Sequence, residues 1–166
     1  MFLRFLLPLL AALLTGCVSP PHRTTLTVAA FPSVDALVTQ RAVLTVMGRQ
    51  FMLTGYLATS ASGGKRLVVT ENLGSVLADV LVKPDGATFV MRSSRAFKPE
   101  WIRQFIAADL QCLYGDPSGA DCRVIRLSPT HFLINRRFYT LDLQVVDTKL
   151  GPQPSEMFDE SRKGQP

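Results

Sequence analysis

From Thr39 onward, apolar and polar positions alternate in short runs broken by turn formers. Arg41 to Met47 is rich in β-branched and apolar residues and stops at Gly48-Arg49-Gln50, the pattern of a strand followed by a turn. Phe51, Leu53, Gly55 and Leu57 then fall on one face and Met52, Thr54 and Tyr56 on the other. Ser60 to Gly64 is a small-residue turn before a third strand, Arg66 to Thr70, and Asn72-Leu73-Gly74 turns the chain into Val76 to Lys83. Pro84-Asp85-Gly86 is a hairpin signal before Ala87 to Arg92. Five strands with short links predict an antiparallel meander. In the fourth, Val76, Ala78, Val80 and Val82 share one face, while Leu77 and Leu81 share the other with Asp79 and Lys83. A sheet apolar on one face and half apolar on the other needs cover on both.

The period then changes. Pro99 suits a first helical position and Glu100 the positive end of the helix dipole. Trp101, Ile102, Phe105, Ile106, Leu110 and Leu113 recur at three- and four-residue spacing, interrupted by Arg103, Gln104, Asp109 and Gln111. This predicts an amphipathic helix that lays its stripe on the sheet. Arg123 to Leu127 reads as a further strand, and His131 to Ile134 with Phe138 to Val146 as a closing hairpin around Asn135-Arg136-Arg137. Residues 33–150 therefore form one α+β domain, with Ser33 to Leu37 as a helical turn leading in. The proline-, glycine- and charge-rich stretch 151–166 is expected to be disordered.

The N-terminal stretch has another logic. Arg4 precedes an apolar run from Phe5 to Leu14 that ends in Thr15-Gly16-Cys17, the build of a secretory signal. Phe5 to Gly16 is 12 residues, short of the about 20 that cross a hydrocarbon core. Leu14-Thr15-Gly16-Cys17 resembles the lipobox of bacterial lipoproteins, which implies that residues 1–16 are removed and Cys17 is acylated. Residues 17–32, with Ser19-Pro20-Pro21, then form a tether. Val18 follows the cysteine where an aspartate would mark inner-membrane retention. The resemblance thus implies an outer-membrane anchor facing the periplasm.

Composition narrows the remaining chemistry. A hydrophobic fraction of 47% leaves a real core once the signal is set aside, and the 150 residues from Cys17 suit one domain. The net charge is +5, but the cations are scattered, with no basic run interleaved with aromatics, so nucleic acid is not an expected partner. Arg41, Arg49, Lys65, Arg66, Arg92, Arg95, Arg103, Arg123, Arg126, Arg136 and Arg137 read as solvated outer positions. With Cys17 assigned to lipid, Cys112 and Cys122 remain as a pair in an oxidising compartment, separated by a turn-rich segment. A structural disulfide is expected, worth about 2–3 kcal/mol. The alternatives are a redox pair, which normally has two intervening residues, or metal thiolates, for which no histidine stands near. There is no Gly-x-Ser-x-Gly elbow, His-Glu-x-x-His or phosphate loop. His22 lies in the tether and His131 opens an apolar strand, and Asp116 and Asp121 sit on a turn that needs no metal. No catalytic residue, cofactor or metal is predicted, and the protein is not expected to be an enzyme.

The layout of lipobox, tether, Thr39–Arg92 strands, Trp101–Tyr114 helix and Arg123–Val146 hairpin resembles a family of small bacterial lipoproteins, domain of unknown function 3261. That family is in turn similar to LolA and LolB. The resemblance implies a curved antiparallel sheet, a half-barrel, with the helix on its concave side around a cavity for acyl chains. It also implies service to lipid-like or aryl polyene assembly, and it brings no catalytic residues. The function to test is binding or transfer of an acyl or polyene lipid, with Leu44, Val46, Phe51, Leu53, Val80, Phe89, Trp101 and Phe105 as candidate wall residues. The alternative is a non-enzymatic assembly lipoprotein with a filled core that contacts an envelope protein.

Overall fold

The computed structural model describes residues 34–115 and 124–162. Eight strands form one antiparallel sheet: β1 (Ala36–Val46), β2 (Arg49–Thr59), β3 (Lys65–Glu71), β4 (Val76–Val82), β5 (Thr88–Ser93), β6 (Val124–Ser128), β7 (His131–Asn135) and β8 (Tyr139–Leu150). Their order is β5-β4-β3-β2-β1-β8-β7-β6, so the sheet is not closed and β5 and β6 are its edges. Consecutive strands pair throughout except β5 and β6, and β1 also pairs with β8, joining the meander to the closing hairpin through eleven paired positions. Turn chemistry sets the registers. Met47 and Gly48 both have positive φ, 49° and 75°, which closes the two-residue β1–β2 hairpin in the twist that strands favour. Gly86, at φ 85°, ends the Pro84-Asp85-Gly86 loop with Lys83 and Ala87 bonded across it at 2.8 Å.

One helix, α1 (99–114), links the two edge strands. It begins at Pro99, whose missing N–H costs nothing there. Its middle, Ile102–Ile106, is a π turn in which the Ala107 N–H donates to the Ile102 carbonyl five residues back. Ala107–Tyr114 is regular α-helix. The helix lies on the face that carries Val38, Leu44, Leu53, Leu57, Leu67, Val69, Val80, Phe132, Ile134 and Leu143, and Ile102, Leu110 and Leu113 complete that core. Each such side chain contributes about 1.5–3 kcal/mol when fully buried.

Three expectations are corrected. Ala36 and Leu37 are not a helical turn but the start of β1, where Ala36 pairs with both Thr59 and Leu150. The stretch beyond Leu150 is not disordered up to residue 162: Ser155–Phe158 and Glu160–Arg162 form 3-10 turns. They dock where Arg66 donates to the Met157 carbonyl at 3.0 Å, Phe158 packs beside Gly64, and Lys83 pairs with Glu160 at 2.6 Å. This is the face opposite α1, and Leu81 on it is 1% exposed. The two-faced apolar pattern of β4 thus has two covers, the helix and the C-terminal turns. The third correction concerns charge. Arg66 and Arg136 are not solvated, for each is largely buried against a carboxylate, Asp79 and Asp109 respectively.

Candidate functional site

Between α1 and the sheet lies a cleft of about 90 Å³. Its sheet side is made by Gln40, Ala42 and Leu44 of β1, Leu53 and Gly55 of β2, Leu67 and Val69 of β3, and Tyr139, Leu141 and Leu143 of β8. Strand alternation explains the choice. Gln40 pairs with Gly55 and Gly55 with Val69, and Ala42 pairs with Leu53 and Leu143, so all of them project to the helix side. The helix side is made by Trp101, Phe105, Ile106, Asp109, Leu110 and Leu113, with Phe97 at its approach. The lining is hydrocarbon almost throughout.

Aromatic rings border one end. Trp101 stands 5.0 Å from Phe105, 6.1 Å from Phe97 and 6.0 Å from Tyr139, and Phe105 meets Tyr139 edge-on at 5.7 Å. Edge-to-face pairs of this kind add about 0.5–1.5 kcal/mol beyond area burial. Gly55 lies in the floor of the cleft, where a Cβ would already touch its neighbours, 3.4 Å from Leu67 Cδ1 and 3.7 Å from the Gln40 side chain.

Two polar groups interrupt the apolar wall. Asp109 is 6% exposed and accepts from Arg136 Nε at 3.0 Å, from the second Arg136 nitrogen at 2.8 Å, and from the Tyr139 hydroxyl. Burial raises the Asp109 pKa, against the lowering effect of the Tyr139 and Arg136 hydrogen bonds. Desolvation of the Arg136 guanidinium works against its charge, but the bond to Asp109 raises its pKa overall. Tyr139 is pushed far above the phenol range, first by burial and then by the Asp109 charge. Arg136 also approaches Cys112 Sγ at 3.7 Å. The second group is Gln40, 3% exposed, whose side-chain amide interacts with the Tyr114 hydroxyl. Burial likewise raises the Tyr114 pKa.

Of the eight wall residues expected from sequence, Leu44, Leu53, Trp101 and Phe105 border the cleft. Val80 is fully buried in the core and Val46 packs half-buried against it, so neither is a wall. Phe51 is 48% exposed at the strand end. Phe89 is on the wrong face: it pairs with Leu81 and lies under Lys83, whose ammonium is 4.9 Å from the ring. Gln40, Gly55, Asp109 and Tyr139 were not anticipated. Cys112 is disulfide-bonded, and Cys17, Cys122, His22, Asp116 and Asp121 lie outside the described residues. His131 is 2.6 Å from Asp142 across the closing hairpin. Among the described residues no helix is long and apolar enough to cross a membrane, and no three His, Cys, Asp or Glu side chains gather as metal ligands.

No family model matches the chain, and no curated protein matches it. The likeness to the lipoprotein family thus rests on layout.

Proposed function

We propose that this protein is a lipid-anchored periplasmic lipoprotein of the outer membrane that binds or transfers an apolar chain held between α1 and the sheet. The observation that carries the reading is the hydrocarbon-lined cleft between α1 and the sheet. Ligand sites for whole small molecules run about 300–1,000 Å³. A cleft of about 90 Å³ suits a segment of an acyl or polyene chain, with the rest of the ligand outside. A half-barrel curvature akin to LolA and LolB belongs to the same proposal.

The end of the sheet nearest Leu44, Leu53 and Tyr139 supports contact with lipid. Its turns carry Met47, Leu73 and Phe138, which are 95%, 91% and 60% exposed, with Arg49 and Arg137 beside two of them. Isolated apolar tips flanked by cations fit an anionic lipid surface. A second reading, an assembly lipoprotein, draws on β6, an edge strand of the sheet on which Ile125 and Leu127 are 49% and 54% exposed among the described residues.

Native mass spectrometry of protein purified from its own envelope, followed by titration of Trp101 fluorescence with acyl chains, tests the first reading. Gly55→Val is the matched control, because Gly55 lines the cleft and a valine there would project beyond a Cβ that already touches Leu67 and Gln40; its fold is checked by circular dichroism before titration. The expected result is a co-purifying lipid and saturable quenching in the wild type, with at least a tenfold loss of affinity in Gly55→Val. No lipid and no saturable quenching would remove the binding reading and leave the assembly one.

A further inference from the structure

The helix carries one residue more than its span needs. At the 100° per residue of an unbroken α-helix, the stripe from Trp101 to Leu113 would spread over about 180°, with Trp101 and Leu110 at its limits. Ala107 and Tyr114 would fall outside that stripe, at about 240° and 220° from Trp101. Both are buried, and both belong to the core that α1 shares with the strands. The π turn resolves the conflict. The Ala107 N–H reaches back five residues to the Ile102 carbonyl, so everything from Ala107 onward is set back by about 100°. The stripe narrows to about 120°, with Asp109 in line with Trp101 and Leu110 with Ile102, and Ala107 and Tyr114 move to its flank.

A helix one residue shorter would align its two halves equally well and keep regular α-helical bonds throughout. The extra residue adds nothing to the core, for Arg103 and Gln104 on the outer side of the turn are exposed. The two helices differ at Phe105. In the shorter one Phe105 would stand about 40° further round, outside the stripe, whereas in the π turn it lines up with Trp101 and Asp109. There it borders the cleft and meets the rings of Trp101 and Tyr139 edge-on. We infer that the π turn at Ile102–Ile106 is the positioning element of the cleft, and that it sets Phe105 as a wall against the bound apolar chain. This rests on the proposed binding of such a chain and deepens it.

Deletion of Gln104 from the full chain removes the extra residue, and Gln104→Ala keeps it. Methyl laurate is the probe, with Trp101 fluorescence as readout and circular dichroism as the check on fold. The wild type and Gln104→Ala should bind alike. The deletion and Phe105→Ala should each lose about tenfold in affinity, the worth of one aromatic contact and the area beneath it. The two combined should lose no more than either alone, because both remove the same contact. Undiminished binding by the deleted chain, or losses that multiply, would overturn the role of the π turn while leaving the cleft reading intact. Hydrogen exchange of the unaltered chain gives a second measure that does not depend on the deleted chain folding. The amides of residues 103–107 should gain about threefold protection or more with methyl laurate bound, and unchanged exchange there would also overturn the inference. Absence of methyl laurate binding by the wild type would overturn the apolar-chain reading and this inference with it.

Discussion

Asp109 is the residue whose environment departs furthest from its sequence context. By sequence it reads as a polar interruption of the apolar stripe, although at 100° per residue it falls between Phe105 and Ile106. Its partners were not legible there: Arg136 and Tyr139 are 27 and 30 positions away, and only chain packing brings them to it. Because burial raises the Asp109 pKa, the folded protein holds this proton at pH values where the unfolded chain has released it. The contribution to stability is full below the ordinary value of 3.8 and is lost as pH rises through the higher native value. Urea midpoints taken from that value to neutrality should therefore fall less steeply with rising pH in Asp109→Asn than in the wild type. Equal slopes would mean that Asp109 titrates as an ordinary carboxylate. Asp109→Ala also strands the Arg136 guanidinium and the Tyr139 phenol. It should cost about 3 kcal/mol, the low end for a broken buried pair, since Arg136 keeps some access to water.

Among the elements, the strands followed their alternation and their turn residues, and the helix followed Pro99 and the apolar stripe. The π turn at Ile102–Ile106 left no mark that a 3.6-residue period could show. It lets both Phe105 and Ile106 reach the cleft, and such insertions are often found at functional sites. The C-terminal turns were illegible for a different reason. Their own composition is that of a solvated tail, and they are ordered by what they cover. Removal of residues 151–166 should lower thermal stability by taking Phe158 from Gly64 and the Met157 carbonyl from Arg66. The half-buried Phe158 contributes less than the about 1.5–3 kcal/mol of a fully buried aromatic, and uncovering of the face that carries Leu81 adds to that loss. Differential scanning calorimetry of the truncated chain against the full one measures it, and an unchanged melting temperature would show that the turns contribute nothing.

At the level of the whole molecule, the described residues form an open sheet with its helix on one face, two short turns on the other, and β5 and β6 as its edge strands. The proposed anchor is Cys17, which is outside the described residues. Metabolic labelling with a radiolabelled fatty acid should mark the wild type and fail to mark Cys17→Ala. Equal labelling of the two would end the lipoprotein reading. The disulfide-bonded Cys112, which Arg136 approaches, stands at the last turn of α1, so the cross-link and the Asp109 cluster hold the same end of the helix.

The sequence by itself determined the class of the domain, an antiparallel meander with one helix and a closing hairpin. These features depend on residues near each other in the chain: alternation, glycine turns and a proline helix start. Which apolar residues would be wall, core or surface was decided only by the tertiary structure. Leu44 and Val80 have the same local pattern, and Phe89 differs from both only in the parity that pairing imposes on it. The same holds for the cleft. Gly55 joins its floor only because pairing sets it beside Gln40 and Leu67 under the helix, and those positions depend on contacts between residues far apart in the chain.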